Sequence, residues 1–594
     1  MYDEKTIQKQ RMNGKGGERT KKIAYTFIQK LVIFQKKYTR MKEEDTYVNL
    51  KKSLFVMMTL LLIVVLAACG GNNETNGNNN NGNNDGNNDS AVNEDPDNPF
   101  KVSNEEIDMT IFAKHPIQQK NEGNDWNDIL IWNKYKELTN VNVTWDLIDE
   151  EAIEEQRNLS LNAGLPDAYF LSDFSMSDII TYGQQEVFIE LNDLIEEHAP
   201  NLTALMEEEP GIRKGITFPN GKIYSMPSVV DPDFLSVRLA ARPWINEAHL
   251  EELDMDIPET TDEYYEFLKG VKELAPAGDN TIPYGGTDIA ELIQWLSGSF
   301  GVMNRGQVNT NFDADPEDDS KVRFYAATED YKKLLEYVHK LYDEGLIDEQ
   351  ILDGDWGHFT GLAGEDSEAF SSYVFYEPKD FFGSEVGKDW THMTALEGPD
   401  GHRDYNKVGP IVWDPANFII TSENENPVEA VKWMDNFYGP EGQEFYYMGI
   451  EGETYTRDGD DATYVDELLT ETGGPNETAI MQQLTWVGAI NGVLSHLYFP
   501  GGESNEPSMA AADDIEAFTP DEIWDRFTFT EEENDILSNK GTEVTKYVEE
   551  MRDKFIAGQE SLDNYDKYVE TLEKMGLNDV IDAYQEAYDR YQEN

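Results

Sequence analysis

From about residue 105 onward the chain switches repeatedly between two hydrophobic periods. Ile107–Ala113 (IDMTIFA) and Val141–Ile148 (VNVTWDLI) place apolar residues at alternate positions, the pattern of a strand with one face in a core. Between them, Asp125–Leu138 spaces Trp126, Ile129, Leu130 and Tyr135 for one face of a helix. Another helix is predicted through Leu161, "AGLPD" breaks it, and Ala168–Leu171 is a third short strand. Strands alternating with helices predict a parallel sheet covered on both faces. Later helices carry start and stop signals. Thr260–Glu263 (TTDE) is a capping box ahead of the stripe Tyr264, Phe267, Leu268, Val271 and Leu274. Tyr331, Leu334, Leu335, Val338, Leu341 and Tyr342 form a second stripe, ended by Gly345. Pro427 opens a helix that Gly439-Pro440 closes, and Thr530–Glu533 (TEEE) caps the C-terminal helical region. A body of about 495 residues is too long for one compact core and long enough for two.

A different pattern precedes this body. Ser53–Ala68 is an apolar run with Lys51-Lys52 before it and the chain's single cysteine, Cys69, after it. At about 16 residues it is short for a membrane span, which needs about 20. A positive flank, an apolar centre and small residues at the end are the parts of a secretory signal. Leu66-Ala67-Ala68-Cys69 resembles the lipobox of bacterial lipoproteins. That resemblance implies cleavage before Cys69, lipidation of its thiol, and a protein held on the outer face of the cell membrane. A signal anchor with an incidental cysteine is the alternative. Residues 41–68 are then the signal peptide. Residues 1–40, basic and helix-prone, are expected to lie upstream of the better initiator, Met41. Within residues 69–100, the stretch from Asn72 to Asn98 is almost entirely Asn, Gly and Asp, too polar to fold. As a flexible coil it spans on the order of 30 Å, a leash between lipid and body.

Charge narrows the partners. The chain has 47 basic and 117 acidic residues; residues 1–68 hold 14 and 6 of them, so the remainder carries 33 and 111, net −78. Nucleic acid is excluded as an expected partner, because phosphate binding needs the opposite sign. The acids run along the whole body, which fits adaptation to a salty or alkaline medium better than a dedicated cation-collecting surface.

Several blocks now converge. "TYGQQEVFIELNDLIEEHAPNL" (181–202), "NGKIYSMP" (220–227) and "ARPWINEAHLEELDMDIPETTDEYYEFLKGVKEL" (241–274) are followed by "LYDEGLIDEQ" (341–350). After these come "NFIITSENENPVEAVKWMDNFYGPEGQEFYYMGIEGETY" (417–455) and the tail at 547–591. Together they resemble the LplA-type extracellular solute-binding lipoproteins of Gram-positive bacteria, relatives of the maltose- and alginate-binding proteins that serve ABC importers. The resemblance implies an α/β, two-lobe, periplasmic-binding-protein-like fold with an interlobe cleft that closes on a sugar or oligosaccharide. It implies lobe 1 at 101–228 plus 405–455 and lobe 2 at 229–404 plus 456–594, crossing near "GKIYSMPSVV" and "HRDYNKVGPIVW". The implied partners are a sugar and the permease subunits of the importer, with the receptor acting as a monomer and needing no cofactor.

A sugar offers apolar faces and a rim of hydroxyls, so its site needs flat aromatic rings and planar polar side chains. The candidates are Trp126, after the loop that follows the first strand; Asp173, just past the third strand; and Trp413 in "GPIVWDPANF", beside a presumed crossing and the strongest of them. Arg242 and Trp244 in "ARPWIN" stand where the family often has an Arg-x-x-Trp-like run, here shortened around Pro243. Trp295 faces either the cleft or the second core, and Trp356 and Tyr376 flank a predicted strand. For Trp126 and Asp173 a core position and a helix cap are the respective alternatives.

Catalytic signatures are sparse. With 111 acidic residues, some carboxylate pair at glycosidase spacing arises by chance and carries no information. No G-x-S-x-G elbow or HExxH is present, and the eight histidines are scattered. The rival readings are a surface-tethered glycosidase or lyase, and a receptor for a peptide or other solute. "NTNFDADPEDDSK" (309–321) alternates oxygen donors at Asn311, Asp313, Asp315 and Glu317, as a calcium loop would, but Pro316 and the lack of a central glycine favour a hairpin turn.

Overall fold

The computed structural model describes residues 98–593 apart from 355, 366–369, 380, 381, 383–386, 460 and 471–473. Cys69, the segments 1–40 and 41–68, and the leash up to residue 97 lie outside the described residues. No helix among the described residues is long and apolar enough to cross a membrane.

The chain builds one core, leaves it, and returns. Strands β1 (Ile107–His115), β2 (Val141–Asp149), β3 (Ala168–Phe170) and β4 (Met226–Val230) come first. Strands β5 (Arg242–Asn246), β6 (Ile282–Tyr284), β7 (Phe312–Asp315), β8 (Asp318–Phe324), β9 (Phe370–Phe375) and β10 (Trp390–His392) follow. Then β11 (Val412–Ile420), the hairpin β12 (Tyr455–Asp458) and β13 (Asp461–Tyr464), and β14 (Val493–Leu494) return. The first sheet has the order β14-β4-β11-β3-β1-β2 and the second β10-β5-β9-β6. As the strand and helix pattern predicts, β1 runs parallel to both β2 and β3. The sheet as a whole is mixed, because β11 runs antiparallel to β3 and β4. A strand that re-enters from a second core is free of the βαβ constraint that keeps neighbours parallel.

The capping boxes form as read: Thr260 and Glu263 bond each other's backbone at the start of the helix Thr261–Leu274, and Thr530 and Glu533 do so at Glu531–Ile536. The helix Glu329–Asp343 buries Tyr331, Leu334, Leu335, Val338 and Leu341 against the second core. The loop at 309–321 is the β7–β8 hairpin. Its central acid, Asp313, is fully buried and held by Arg323, Nε at 2.8 Å and Nη2 at 2.6 Å. Asp315 accepts the N–H of Glu317 at 2.9 Å. Among the described residues no group of three or more His, Cys, Asp or Glu is arranged to hold a metal.

The packing moves the crossings. Val237 belongs to the first core and Leu239 to the second; Val408 belongs to the second and Val412 to the first. The second of these falls inside "HRDYNKVGPIVW", whereas the first comes after "GKIYSMPSVV", whose last five residues form the buried strand β4. A third lies between Phe499, packed on the first core, and Ala512 in the second. The implied boundary at 455 is therefore displaced: Tyr464, Leu468, Ile480, Leu484 and Trp486 pack in the first core, and β14 pairs with β4. The physical reason is β14, a two-residue strand that draws its segment to the edge of the first sheet.

Asp525 sits against the second crossing. Its Oδ1 accepts the N–H of Val412 at 3.3 Å, and its own N–H donates to the Tyr591 hydroxyl at 3.4 Å. Burial pushes its carboxyl up to about 7, although the Val412 bond and the charges of Arg238 and Arg526 pull the other way. An acid raised in the folded state contributes stability that is full below its unfolded value of about 4 and is lost as pH rises through about 7. Asp525→Asn keeps the Oδ1 acceptor and removes the charge. It is expected to be more stable than the parent by about 2–4 kcal/mol near pH 8 and nearly equal to it near pH 4.5, read by urea unfolding at each pH. An equal effect at both pH values would contradict the assignment.

Candidate binding site

Parallel strands β1 and β3 end at the same edge of the first sheet, and antiparallel β11 begins there. Their loops meet around a pocket of about 550 Å³, within the range of small-ligand sites. Lys114 comes from the end of β1, Leu171 and Asp173 from the turn after β3, and Trp413 and Asp414 from the start of β11. Gln118, Glu477, Trp486, Gly488 and Phe499 complete much of the wall.

Local backbone geometry sets each side chain. Leu171 and Asp173 have φ of 49° and 54°, a left-handed conformation that is strained for non-glycine residues and clusters at ligand sites. Arg157 holds this turn by donating to the carbonyls of Ser172 and Asp173. Asp173 thereby reaches the Lys114 ammonium at 2.8 Å. Across the pocket, β11 shifts register on β4 between Val412 and Asp414 and again before Phe418. Such bulges re-aim side chains at strand ends. Trp413 is left 44% exposed, and Arg526 pins its peptide by donating to the carbonyls of Val412 and Trp413 at 3.3 and 3.2 Å. Asp414 folds back to accept the N–H of Ala416 at 2.8 Å; burial, then the nearby Asp173 charge, raises its carboxyl against that bond. Gly488 has φ of 81°, and a Cβ there would come within 2.8 Å of Pro116, so only glycine fits.

The other candidates divide. Tyr376 follows β9 in the second lobe and is 37% exposed; burial first, then the charges of Glu503 and Glu291, raise its hydroxyl. Trp126 is a core residue: its indole N–H donates to Gln119 at 2.5 Å and its ring lies edge-on to Trp145 at 5.0 Å. Trp244 is buried in β5, donating to the Phe375 carbonyl at 3.0 Å. Trp295 is buried edge-on to Tyr264 at 5.1 Å. In each case the indole body fills a core and presents no face for a sugar. Arg242 is also a structural residue, wholly buried, donating to the carbonyls of Ser236 and Leu239 at 2.6 and 3.1 Å and paired with Glu503 at 2.7 Å. Trp356 opens the helix Trp356–Glu365, and its side chain lies outside the described residues.

Lys114, Asp414 and Trp486 are pocket residues that the sequence reading passes over. Trp486 had a visible signal, since "TWVGAI" sets a tryptophan two residues before a glycine outside any amphipathic stripe. Lys114 had none, because its partner is 59 positions away.

A family profile described as "Bacterial extracellular solute-binding protein" matches residues 131–453, more than half of the chain, and the chain belongs to that family. It is 26% identical over 503 residues to the fructooligosaccharide ABC transporter substrate-binding protein FusA of Streptococcus pneumoniae, covering 81% of this chain and 90% of the relative. Lipoprotein LipO of Bacillus subtilis is 22% identical over 471 residues, 75% of this chain and 86% of the relative. The polygalacturonan/rhamnogalacturonan-binding protein YtcQ of the same species is 22% identical over 483 residues, 76% and 86%. The solved structure of FusA in complex with kestose superposes with a TM-score of 0.67 at 23% identity, covering 82% of this chain and all of that one. The fold is thus the two-lobe α/β fold of periplasmic binding proteins.

Proposed function

We propose that this chain is the surface receptor of an ABC importer for an oligosaccharide. Trp413 carries this reading: an exposed indole, aimed by a bulge, stands over a pocket whose rim holds the Lys114–Asp173 pair and Asp414. An indole face matches the C–H face of a sugar, and the paired charges match its hydroxyls. The sugar lies against this wall, and rotation about the three crossings brings the second lobe, with Tyr376, onto it. Ligand populates the closed form by as much as it binds that form better, and the permease engages the closed form. The receptor breaks no bond in its ligand. The names of FusA and YtcQ, both carbohydrate-binding, support the ligand class. The lipobox at Leu66–Cys69, together with a relative named as a lipoprotein, supports tethering through Cys69 on the outer face of the membrane.

A thermal-shift screen against oligosaccharides and peptides tests this reading, followed by chromatography of the recovered ligand. A cognate sugar at 100 times its Kd is expected to add about 2.7 kcal/mol of stability and to be recovered intact. Stabilisation by peptides alone, or recovery of shortened glycans, would overturn it.

A further inference from the structure

Lys114, the cation in the lining of the first-lobe pocket, is engaged by Asp173, and the other ionisable lining groups are acids. Around the first-lobe pocket the ionisable groups are Lys114, Asp173, Asp414 and Glu477. The Lys114 ammonium lies 2.8 Å from Asp173. The two arginines behind the wall face backbone: Arg157 donates to the carbonyls of Ser172 and Asp173, Arg526 to those of Val412 and Trp413. The same holds around Tyr376 in the second lobe. Arg242 pairs with Glu503 at 2.7 Å, Lys407 with Glu291 at 2.9 Å and Lys379 with Glu377 at 2.7 Å. Glu503, Glu291 and Arg242 are the charges that act on the Tyr376 hydroxyl.

A uronate needs an available cation, best a guanidinium that meets its carboxylate with two parallel hydrogen bonds. Lys114, the cation in the lining of the first-lobe pocket, is already paired with Asp173, Arg526 is not part of that lining, and the long-range field of a body with net charge −78 opposes an anion further. Asp173 and Asp414, in contrast, are acceptors at the rim, suited to sugar hydroxyls. Resting on the sugar-receptor reading above, we infer that the site selects uncharged oligosaccharides and rejects uronate-containing ones, with the Lys114–Asp173 pair as a specificity determinant. Asp173 keeps Lys114 from serving as a carboxylate's partner, and Glu477 adds a like charge to the same wall.

The test is isothermal titration of the mature chain, in EDTA to prevent bridging by divalent cations. One panel is neutral fructo-, manno-, xylo- and galacto-oligosaccharides; the other is oligogalacturonates and oligoalginates of matched length. At least one neutral ligand is expected to bind about 100-fold more tightly than any uronate, since like charges face each other across the contact. Asp173→Asn, which frees Lys114, is expected to narrow that ratio at least about tenfold, and Asp173→Glu to restore it. A uronate that binds the parent chain as tightly as the best neutral sugar would overturn the inference and leave the sugar-receptor reading standing. So would an unchanged ratio in Asp173→Asn, as far as the pair is concerned. Failure of every glycan in both panels would instead remove the sugar-receptor reading, and this inference with it.

Discussion

Trp413→Ala is expected to weaken binding of the cognate oligosaccharide about 30-fold, near 2 kcal/mol, which is the effect of removing a central aromatic anchor. Trp413 is 44% exposed and belongs to neither core, so the thermal midpoint of the ligand-free variant should stay close to the parent's. Trp413→Phe should recover part of the affinity, because a smaller flat face remains. Titration calorimetry together with a melt of the free protein reads both halves. A variant that keeps full affinity, or one that loses affinity only because it has unfolded, would contradict the role assigned to this indole. Direct effects on affinity should concentrate here and at Lys114, Asp173 and Asp414, since these are polar groups that the strand ends carry to the pocket.

Arg242→Ala is expected to do the reverse. The guanidinium is wholly buried, donates to two carbonyls and to the Ser508 hydroxyl, and pairs with Glu503. Truncating it leaves the Glu503 carboxylate and both carbonyls without that partner inside the protein, and one-sided removal of a buried pair costs about 3–5 kcal/mol. Urea unfolding should report that loss. Methionine in its place is expected to be less damaging than alanine, because it refills the volume. A ligand-contact role for Arg242 would give the opposite pattern, lost affinity at unchanged stability.

These two residues show what the sequence conveyed and where it stopped. Local signals held well: the capping boxes at Thr260 and Thr530, the stripe from Tyr331 to Leu341 and the three opening strands are decided by residues a few positions apart. The site depends on register between distant strands. Trp413 was nominated because a tryptophan in "VWDPAN" belongs to no stripe, and Asp173 because it follows a strand; both line the pocket at the ends of β1, β3 and β11. Trp126, Trp244 and Trp295 carry the same letter, yet the rings of Trp126 and Trp295 pack edge-on against other buried rings while Trp244 is buried in a sheet. Nothing within ten positions separates an indole that fills a core from one left exposed at a pocket. The third crossing was illegible for a similar reason: two residues, Val493 and Leu494, decide to which sheet their segment belongs. Lys114 and Asp173 read as unrelated solvent charges until β1 and β3 are set side by side, with Ala113 opposite Phe170.

Small-angle scattering of the protein, with and without a saturating oligosaccharide identified by the stability screen, addresses the account most directly. Two lobes that rotate about three crossings onto a ligand resting on Trp413 should give a smaller radius of gyration when that sugar is bound, and Trp413→Ala should require a higher sugar concentration for the same compaction. A radius unchanged by every glycan, while a non-sugar solute contracts the particle, would contradict it.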